Sequence, residues 1–323
     1  MAGRLTEAFD AILSDLDGVI YRGPTAVDGA PAALRRIARA GVPVVFMTNN
    51  AARSSGTIIG ELRGLGIPTR RESIVGSVDV AINILRRRVA PAAPVLVVGS
   101  ASLRARVRAA GFTVASTASE HPAAVIQGLG PQVRWTDLAE AAYAIQRGAF
   151  WIATNLDETL PTASGFAPGN GALVAAVKTA AASRPTVAGK PGPEIFRIAA
   201  ARVKALRPLV VGDRLDTDIV GGNRAGMATA VVLTGVTSAS GLLTAPIAQR
   251  PRYILSSFAE IDAHYLPVTR DGNRYRCGAS HAHASNGQLH VHGELTAAET
   301  IRAACMAWWS SSQRGLPEWH EEG

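Results

Sequence analysis

Residues 11–18 read Ala11-Ile12-Leu13-Ser14-Asp15-Leu16-Asp17-Gly18, a short apolar run that stops on two acids and a glycine. An apolar run of this length closed by turn residues reads as a strand buried on both faces, as in a parallel sheet covered by helices. On an extended strand end, residues i and i+2 share a side, so Asp15 and Asp17 approach one small volume. Two carboxylates so placed repel unless a cation or a bound proton compensates. A hard, oxygen-preferring ion such as Mg²⁺ meets that need. Alone, an Asp-x-Asp-Gly turn is ordinary turn chemistry.

The flanking sequence repeats the theme. A helix is expected over Ala30–Ala40, with Pro31 in its first turn and Gly41 just past its end, followed by strand Val42–Thr48 and helix Ser54–Gly64. Helices over Val78–Arg88, Ala101–Ala110, Thr136–Gly148 and Gly171–Ser183 alternate with strands Val95–Gly99, Phe112–Ala115, Ala123–Gln127 and Phe150–Thr154. Helix Glu194–Lys204, strand Leu209–Val211, helix Asp218–Gly226 and strand Thr229–Leu233 return to the opening pattern. This alternation predicts an α/β fold built on a Rossmann-like parallel sheet. Such a sheet accepts a second domain inserted at a loop.

A second acidic stretch, Gly212-Asp213-Arg214-Leu215-Asp216-Thr217-Asp218, again follows an apolar strand. Parallel strands deliver their carboxyl ends to one edge, where open α/β sheets bind ligands. Asp213 is thereby placed to complete a metal site with Asp15 and the backbone carbonyl of Asp17. Asp216 reads as a helix cap, and Asp218 serves both a cap and the support of the metal ligands. Thr48-Asn49-Asn50 offers a hydroxyl and backbone N–H groups, and Gly189-Lys190-Pro191 a single ammonium in a chain whose only other lysines are Lys178 and Lys204. Acids, hydroxyl and lysine make a phosphoryl-transfer inventory. The Gly-x-x-x-x-Gly-Lys-Ser/Thr cradle is absent, since Lys190 precedes Pro191, and no Gly-x-Gly-x-x-Gly opens a βαβ unit. Kinase and dehydrogenase readings lose ground accordingly.

These four motifs, in this order, resemble the haloacid dehalogenase superfamily of aspartate-nucleophile phosphatases, in the subgroup of the 4-nitrophenyl and phosphoglycolate phosphatases. The resemblance spans about Ala11–Asp262. It implies Asp15 as nucleophile, Asp17 as general acid/base, and Thr48, Asn49 and Lys190 as phosphate ligands. It further implies Mg²⁺ held by Asp15, Asp17 and Asp213, with Asp218 behind them. The gap of about 140 residues between the second and third motifs marks the branch with an inserted α/β cap. The implied division is a core of residues 1–78 and 184–264, a cap of residues 79–183, and a small carboxyl-terminal region of residues 265–323. Asn155 and Asp157, in the cap signature Thr154-Asn155-Leu156-Asp157, either contact substrate or order their loop. Glu158-Thr159-Leu160-Pro161 stands where mammalian relatives carry a histidine, which argues against pyridoxal phosphate. The runs Val211–Ile219, Val187–Pro191 and Leu233–Val236 resemble the actinobacterial branch acting on glycerol 3-phosphate, the substrate expected here. The alternatives are a nucleotide, phosphoglycolate or broad 4-nitrophenyl phosphatase, or a catalytically silent phosphometabolite-binding or interaction protein.

The 323 residues carry 33 Lys and Arg against 25 Asp and Glu, a formal charge of +8. The arginines are scattered through helical stretches, and the run Arg86-Arg87-Arg88 has no interleaved aromatics, so solvated faces are expected rather than a nucleic-acid site. The expected partner is a small phosphorylated metabolite. No apolar signal segment and no run of membrane-spanning length occur, so membrane insertion is not expected and a cytoplasmic protein is. Cys277 and Cys305 make no disulfide scaffold, fit a reducing compartment, and lack a general-base context.

From residue 264 onward the chain holds six of the seven histidines. A strand is expected over Leu289–Leu295 and a helix over Thr296–Arg314, with Thr296 and Glu299 at capping-box spacing. A region this short is marginal alone and is expected to dock on the rest. The pairs His281/His283 and His290/His292 have strand spacing suited to zinc, but no neighbouring Cys or carboxylate in sequence, so a metal there is not expected. Trp308-Trp309 suit internal packing or a homo-oligomer contact.

Overall fold

The computed structural model describes residues 3–50, 54–162, 164–294, 296–311 and 315–321. The chain packs into two compact units, one of residues 1–46, 63–68 and 200–323, the other of residues 47–62 and 69–199. Each has its own parallel sheet. The carboxyl-terminal residues fall within the first unit, whereas the motif-based division sets them apart from residue 265 onward.

In the first unit, strands Ala11–Asp15, Pro208–Gly212, Ala228–Val232 and Tyr253–Leu255 pair in parallel, with Ala11–Asp15 beside Pro208–Gly212. Their side chains are almost wholly buried, with Ile12, Leu13, Leu209, Val210, Val211, Val231 and Val232 all at 0% exposure. That burial on both faces is why these strands read as unbroken apolar runs. Helix Ala30–Arg39 begins with proline in its first turn and buries Ala33, Leu34 and Ile37. Helix Asp218–Gly226 is not as expected. A wide π-type turn, Leu215–Ile219, precedes a short α-helix, Val220–Arg224. The N–H of Ile219 reaches back to the carbonyl of Arg214 at 3.2 Å, a widening that recurs at functional sites.

The carboxyl-terminal region forms an antiparallel meander, Thr269–Asp271, Arg274–Cys277, Ser280–Ser285 and Gln288–His292, joined in parallel by Glu318–Glu321. The expected strand Leu289–Leu295 is thus Gln288–His292, and Leu295 lies outside the described residues. The helix spans Ala298–Ser310, with Ala297 at its N-cap and no side-chain capping bond. The capping-box expectation fails because a turn closes from Ala297 N–H to the Glu294 carbonyl, which starts the helix one residue too late. Glu299 instead lies 3.9 Å from Arg302. Residues 312–314 of the expected helix lie outside the described residues.

This helix shares one apolar cluster with the sheet above: Ile301, Ala304, Cys305 and Trp308 pack with Leu215, Ile219, Val231 and Ile254. Burial raises the pKa of the Cys305 thiol far above its usual range, and burial likewise raises that of Cys277. Arg302 is 4% exposed; its Nε donates to the Ile254 carbonyl at 2.7 Å, and its guanidinium lies 4.1 Å from the Tyr265 ring centroid and 3.6 Å from Glu260. Removing one member of a buried charged network leaves its partners unsatisfied, at a cost of about 3–5 kcal/mol. Arg302→Ala should therefore lower the urea midpoint by that equivalent; a change under about 1 kcal/mol would show that the tail contributes little to this core.

The second unit has a five-stranded parallel sheet in the order Thr186–Val187, Phe150–Ala153, Ala124–Gln127, Pro94–Val98, Thr113–Ala115. Helix Ala101–Ala109 is capped by the Ser100 side chain, which accepts from Leu103 N–H at 3.2 Å. Helices Trp135–Gln146 and Asn170–Ala181 bury Ala141, Ile145, Val174 and Val177 against Leu96, Val125 and Trp151. A hairpin, Thr159–Thr162 with Gly165–Pro168, follows Asp157. Sequence patterning misses it because Pro161 inside a run argues against a strand.

Candidate active site

In the first unit, register explains which acids meet. Val211 stands opposite Ser14, so Asp15 and Gly212 are level and Asp213 lies one step beyond. Ligand atoms of Asp15, Asp213 and Asp218 all lie within 4.8 Å of one another. Asp213 is 3% exposed, Asp218 0%, and Asp15 partly buried. Carboxylates at such spacing repel by about 3–4 kcal/mol per pair at an effective dielectric near 20. All the converging atoms are carboxylate oxygens, which suits a hard divalent cation of the Mg²⁺ type. The Asp218 carboxylate thus lies beside those of Asp15 and Asp213.

Asp17 sits differently from the sequence expectation. The strand ends at Asp15, the chain bends at Leu16, and Asp17 forms an isolated bridge with Tyr21. The i, i+2 argument for a shared side therefore does not apply, and Asp17 is exposed. The turn returns through Gly18 at φ +79°, whose N–H donates to the Tyr21 carbonyl at 2.8 Å. A Cβ on Gly18 would lie 2.5 Å from Asp213 Oδ2, so both backbone angle and space call for glycine.

The loop Thr234-Gly235-Val236-Thr237 holds this arrangement, and sequence reading assigns it no role. Val236 N–H donates to Asp213 Oδ2 at 2.8 Å, Thr237 Oγ1 donates to the Asp213 carbonyl at 2.6 Å, and Thr234 Oγ1 donates to the Gly18 carbonyl at 2.6 Å. Its sequence signals are a Thr-Gly pair at the carboxyl end of a parallel strand and the resemblance of the run Leu233–Val236. Arg214 N–H donates to Asp218 Oδ2 at 3.2 Å. Asp216 is not a cap. Its carboxylate takes two bonds from the Arg214 side chain, at 3.1 and 2.8 Å, which hold it below the usual carboxylate range.

In the second unit, Thr48 is 5% exposed and its hydroxyl accepts from Asn50 N–H at 3.0 Å. Asn49 joins this loop to the lysine: its Oδ1 accepts from Lys190 N–H at 2.8 Å, and its Nδ2 donates to the Lys190 carbonyl at 3.1 Å. Lys190 is 4% exposed. A cavity of about 200 Å³ borders Thr48, with Ser54, Arg71, Ser102 and Arg106 in its wall; Arg106 pairs with Asp79.

Residues 12–113 match a family model of haloacid dehalogenase-like hydrolases, and residues 187–261 a second model of the same kind. The chain is 43% identical over 250 residues to the D-glycerol 3-phosphate phosphatase of Mycobacterium tuberculosis, covering 77% of this chain and 70% of that protein. The chain belongs to the haloacid dehalogenase-like hydrolases. Chronophin of Mus musculus, another relative, is 38% identical over 267 residues, 77% of this chain and 91% of its own. The crystal structure of the M. tuberculosis glycerol phosphate phosphatase in complex with magnesium superposes with a TM-score of 0.87. It is 35% identical and covers 100% of this chain and 96% of that one. The protein is a phosphoric monoester hydrolase.

In this hydrolase Asn155 is 5% exposed and donates through Nδ2 to the Asn49 carbonyl at 2.8 Å, while its Oδ1 accepts from Asp157 N–H at 3.3 Å. Asn170 Nδ2 donates in turn to the Asn155 carbonyl at 2.8 Å. Asn155 therefore orders loops, the second of its two expected roles. Asp157 is partly exposed, and its carbonyl accepts from Gly171 N–H at 2.8 Å. Among the described residues no helix is long and apolar enough to cross a membrane.

Proposed function

We propose that the protein is a Mg²⁺-dependent phosphatase that hydrolyses glycerol 3-phosphate through an aspartyl-phosphate on Asp15. The observation that carries this reading is the meeting of the Asp15, Asp213 and Asp218 carboxylates within 4.8 Å of one another. The substrate is supported by the likeness to the glycerol 3-phosphate phosphatase of M. tuberculosis, and the metal by the magnesium complex of that protein.

Asp15, Asp213 and Asp218, with the backbone carbonyl of Asp17, would hold the ion, which supplies charge neutralisation between carboxylate and phosphate. Asp15 attacks phosphorus in line. Asp17 gives a proton to the leaving alkoxide and then removes one from the water that hydrolyses the acyl phosphate. Its exposure suits a group that exchanges protons with water. Thr48, Asn49 and Lys190 bind the phosphoryl oxygens. Within the proposal, residues 1–78 and 184–264 form the core, residues 79–183 the cap and residues 265–323 an appendage. The setting is cytoplasmic.

A panel of glycerol 3-phosphate, phosphoglycolate, a nucleoside monophosphate and 4-nitrophenyl phosphate, with and without Mg²⁺, tests the reading. Glycerol 3-phosphate should give the highest kcat/KM, and chelation should abolish turnover; preference for another ester would overturn the substrate assignment. Asp157→Ala should lower kcat/KM for glycerol 3-phosphate roughly tenfold more than for 4-nitrophenyl phosphate, the loss of about one polar contact. An unchanged ratio would exclude substrate contact by Asp157.

A further inference from the structure

Five of the seven histidines stand on three neighbouring strands of the carboxyl-terminal sheet, Ser280–Ser285, Gln288–His292 and Glu318–Glu321. Strand register sets His281 opposite His292 and His283 opposite His290. The last strand then adds His320 on the other side of His290. Because side chains alternate along a strand, Ala282, Leu289 and Val291 enter the apolar cluster beneath the helix, and the five imidazoles share the opposite face. The rings are stacked, with centroids 4.8 Å apart for His281/His292, 4.6 Å for His283/His290 and 5.4 Å for His290/His320. The sequence could supply the two His-x-His pairs but no third donor. Pairing of the last strand brings one.

We propose that this face binds a borderline transition-metal ion of the Zn²⁺, Ni²⁺ or Cu²⁺ type, with His283, His290 and His320 as donors. Imidazole nitrogen selects these ions, whereas carboxylate oxygen selects Mg²⁺, so the site is chemically separate from the Asp15 cluster. Side chains directly opposite on paired strands have Cβ atoms about 4.5–5.5 Å apart, a span that Zn–N bonds of about 2.0–2.1 Å can bridge. Among the described residues no three imidazoles converge as the three aspartates do, so binding requires the rings to turn out of their stacks. His283 and His290 are partly exposed and His320 exposed, which leaves room for that rotation.

Two guanidinium groups border the row: Arg276 stands opposite His281 and is paired with Asp271 at 3.5 Å, and the same antiparallel register carries Arg274 to the position opposite His283. Glu318 precedes His320 by two positions on its strand and supplies negative charge beside it.

The test uses the full-length chain without an affinity tag, saturated with Mg²⁺ so that the carboxylates are occupied. Zn²⁺ is titrated calorimetrically, and Cu²⁺ is followed by electron paramagnetic resonance. One equivalent should bind, with nitrogen hyperfine structure from imidazole. The triple variant H283N/H290N/H320N should bind at least tenfold more weakly while its Mg²⁺-supported ester hydrolysis stays unchanged. Equal affinity in the variant, or no binding by the natural chain, overturns the proposal. Diethyl pyrocarbonate labelling of the natural chain gives a readout that does not depend on the variant's folding. Zn²⁺ should shield His283, His290 and His320 and leave the exposed His121 reactive; the same labelling with and without Zn²⁺ also overturns it.

Discussion

Asp15→Asn should lower kcat for ester hydrolysis by roughly 10⁴–10⁶-fold, the range seen when a covalent nucleophile is removed. Asparagine has nearly the shape of aspartate but neither its charge nor its attacking oxygen, so the strand end and its register should persist. A second effect carries the opposite sign. Asp15, Asp213 and Asp218 are crowded within 4.8 Å, and without a cation their repulsion opposes folding. The variant should therefore be more stable than the natural chain when Mg²⁺ is removed, by about 1–3 kcal/mol, since active sites commonly trade stability for function. Urea unfolding in a chelating buffer reads the sign, and steady-state assays read the rate. Near-normal turnover would remove Asp15 from the chemistry. A destabilised variant would mean that the three acids are not charged together.

Gly235→Ala should be nearly as damaging, although residue 235 carries no side chain to react. A Cβ there would overlap the Asp213 carboxylate, far inside the 3 Å that real Cβ atoms keep. Either Asp213 swings away or the Thr234–Thr237 loop withdraws, and in both cases the 2.8 Å bond from Val236 N–H to Oδ2 is lost. Displacing a site group by about 1 Å costs on the order of 10² in rate, and loss of a ligand's supporting bond costs about 10–100-fold in metal affinity. We expect kcat/KM to fall about 100-fold and the Mg²⁺ concentration for half-maximal activity to rise at least tenfold. Gly60→Ala is the control: it lies in helix Ser55–Gly64 with nothing within 4 Å of a new Cβ. Alanine there should leave activity alone and add up to about 1 kcal/mol of stability. Similar activity losses in both variants would show that the Gly235 effect is not local.

The acids of this site were legible in sequence because parallel strands announce themselves as apolar runs and their carboxyl ends fall on one edge. Asp15 and Asp213 needed only that rule, and the register of Val211 on Ser14 completes it. Asp17 was placed by assuming that the strand continues, which the bend at Leu16 prevents. Asp218 was placed behind the ligands by resemblance; the π-type turn Leu215–Ile219, which apolar periodicity does not announce, carries it fully buried to the side of Asp15 and Asp213. Gly235 stood out only as part of the run Leu233–Val236, since its steric requirement leaves no chemical mark in a single sequence. In the tail, strands with polar outer faces, such as Arg274–Cys277 and Ser280–Ser285, resemble loops by composition, and only their pairing partners reveal them.

Leu215 and Ile219, in the turn that carries Asp218, lie in the same apolar cluster as Ala303, Cys305 and Trp308. A gene shortened after codon 264 would therefore not encode a leaner version of this enzyme. It would leave that turn, and with it the seat of Asp218, facing water on its far side.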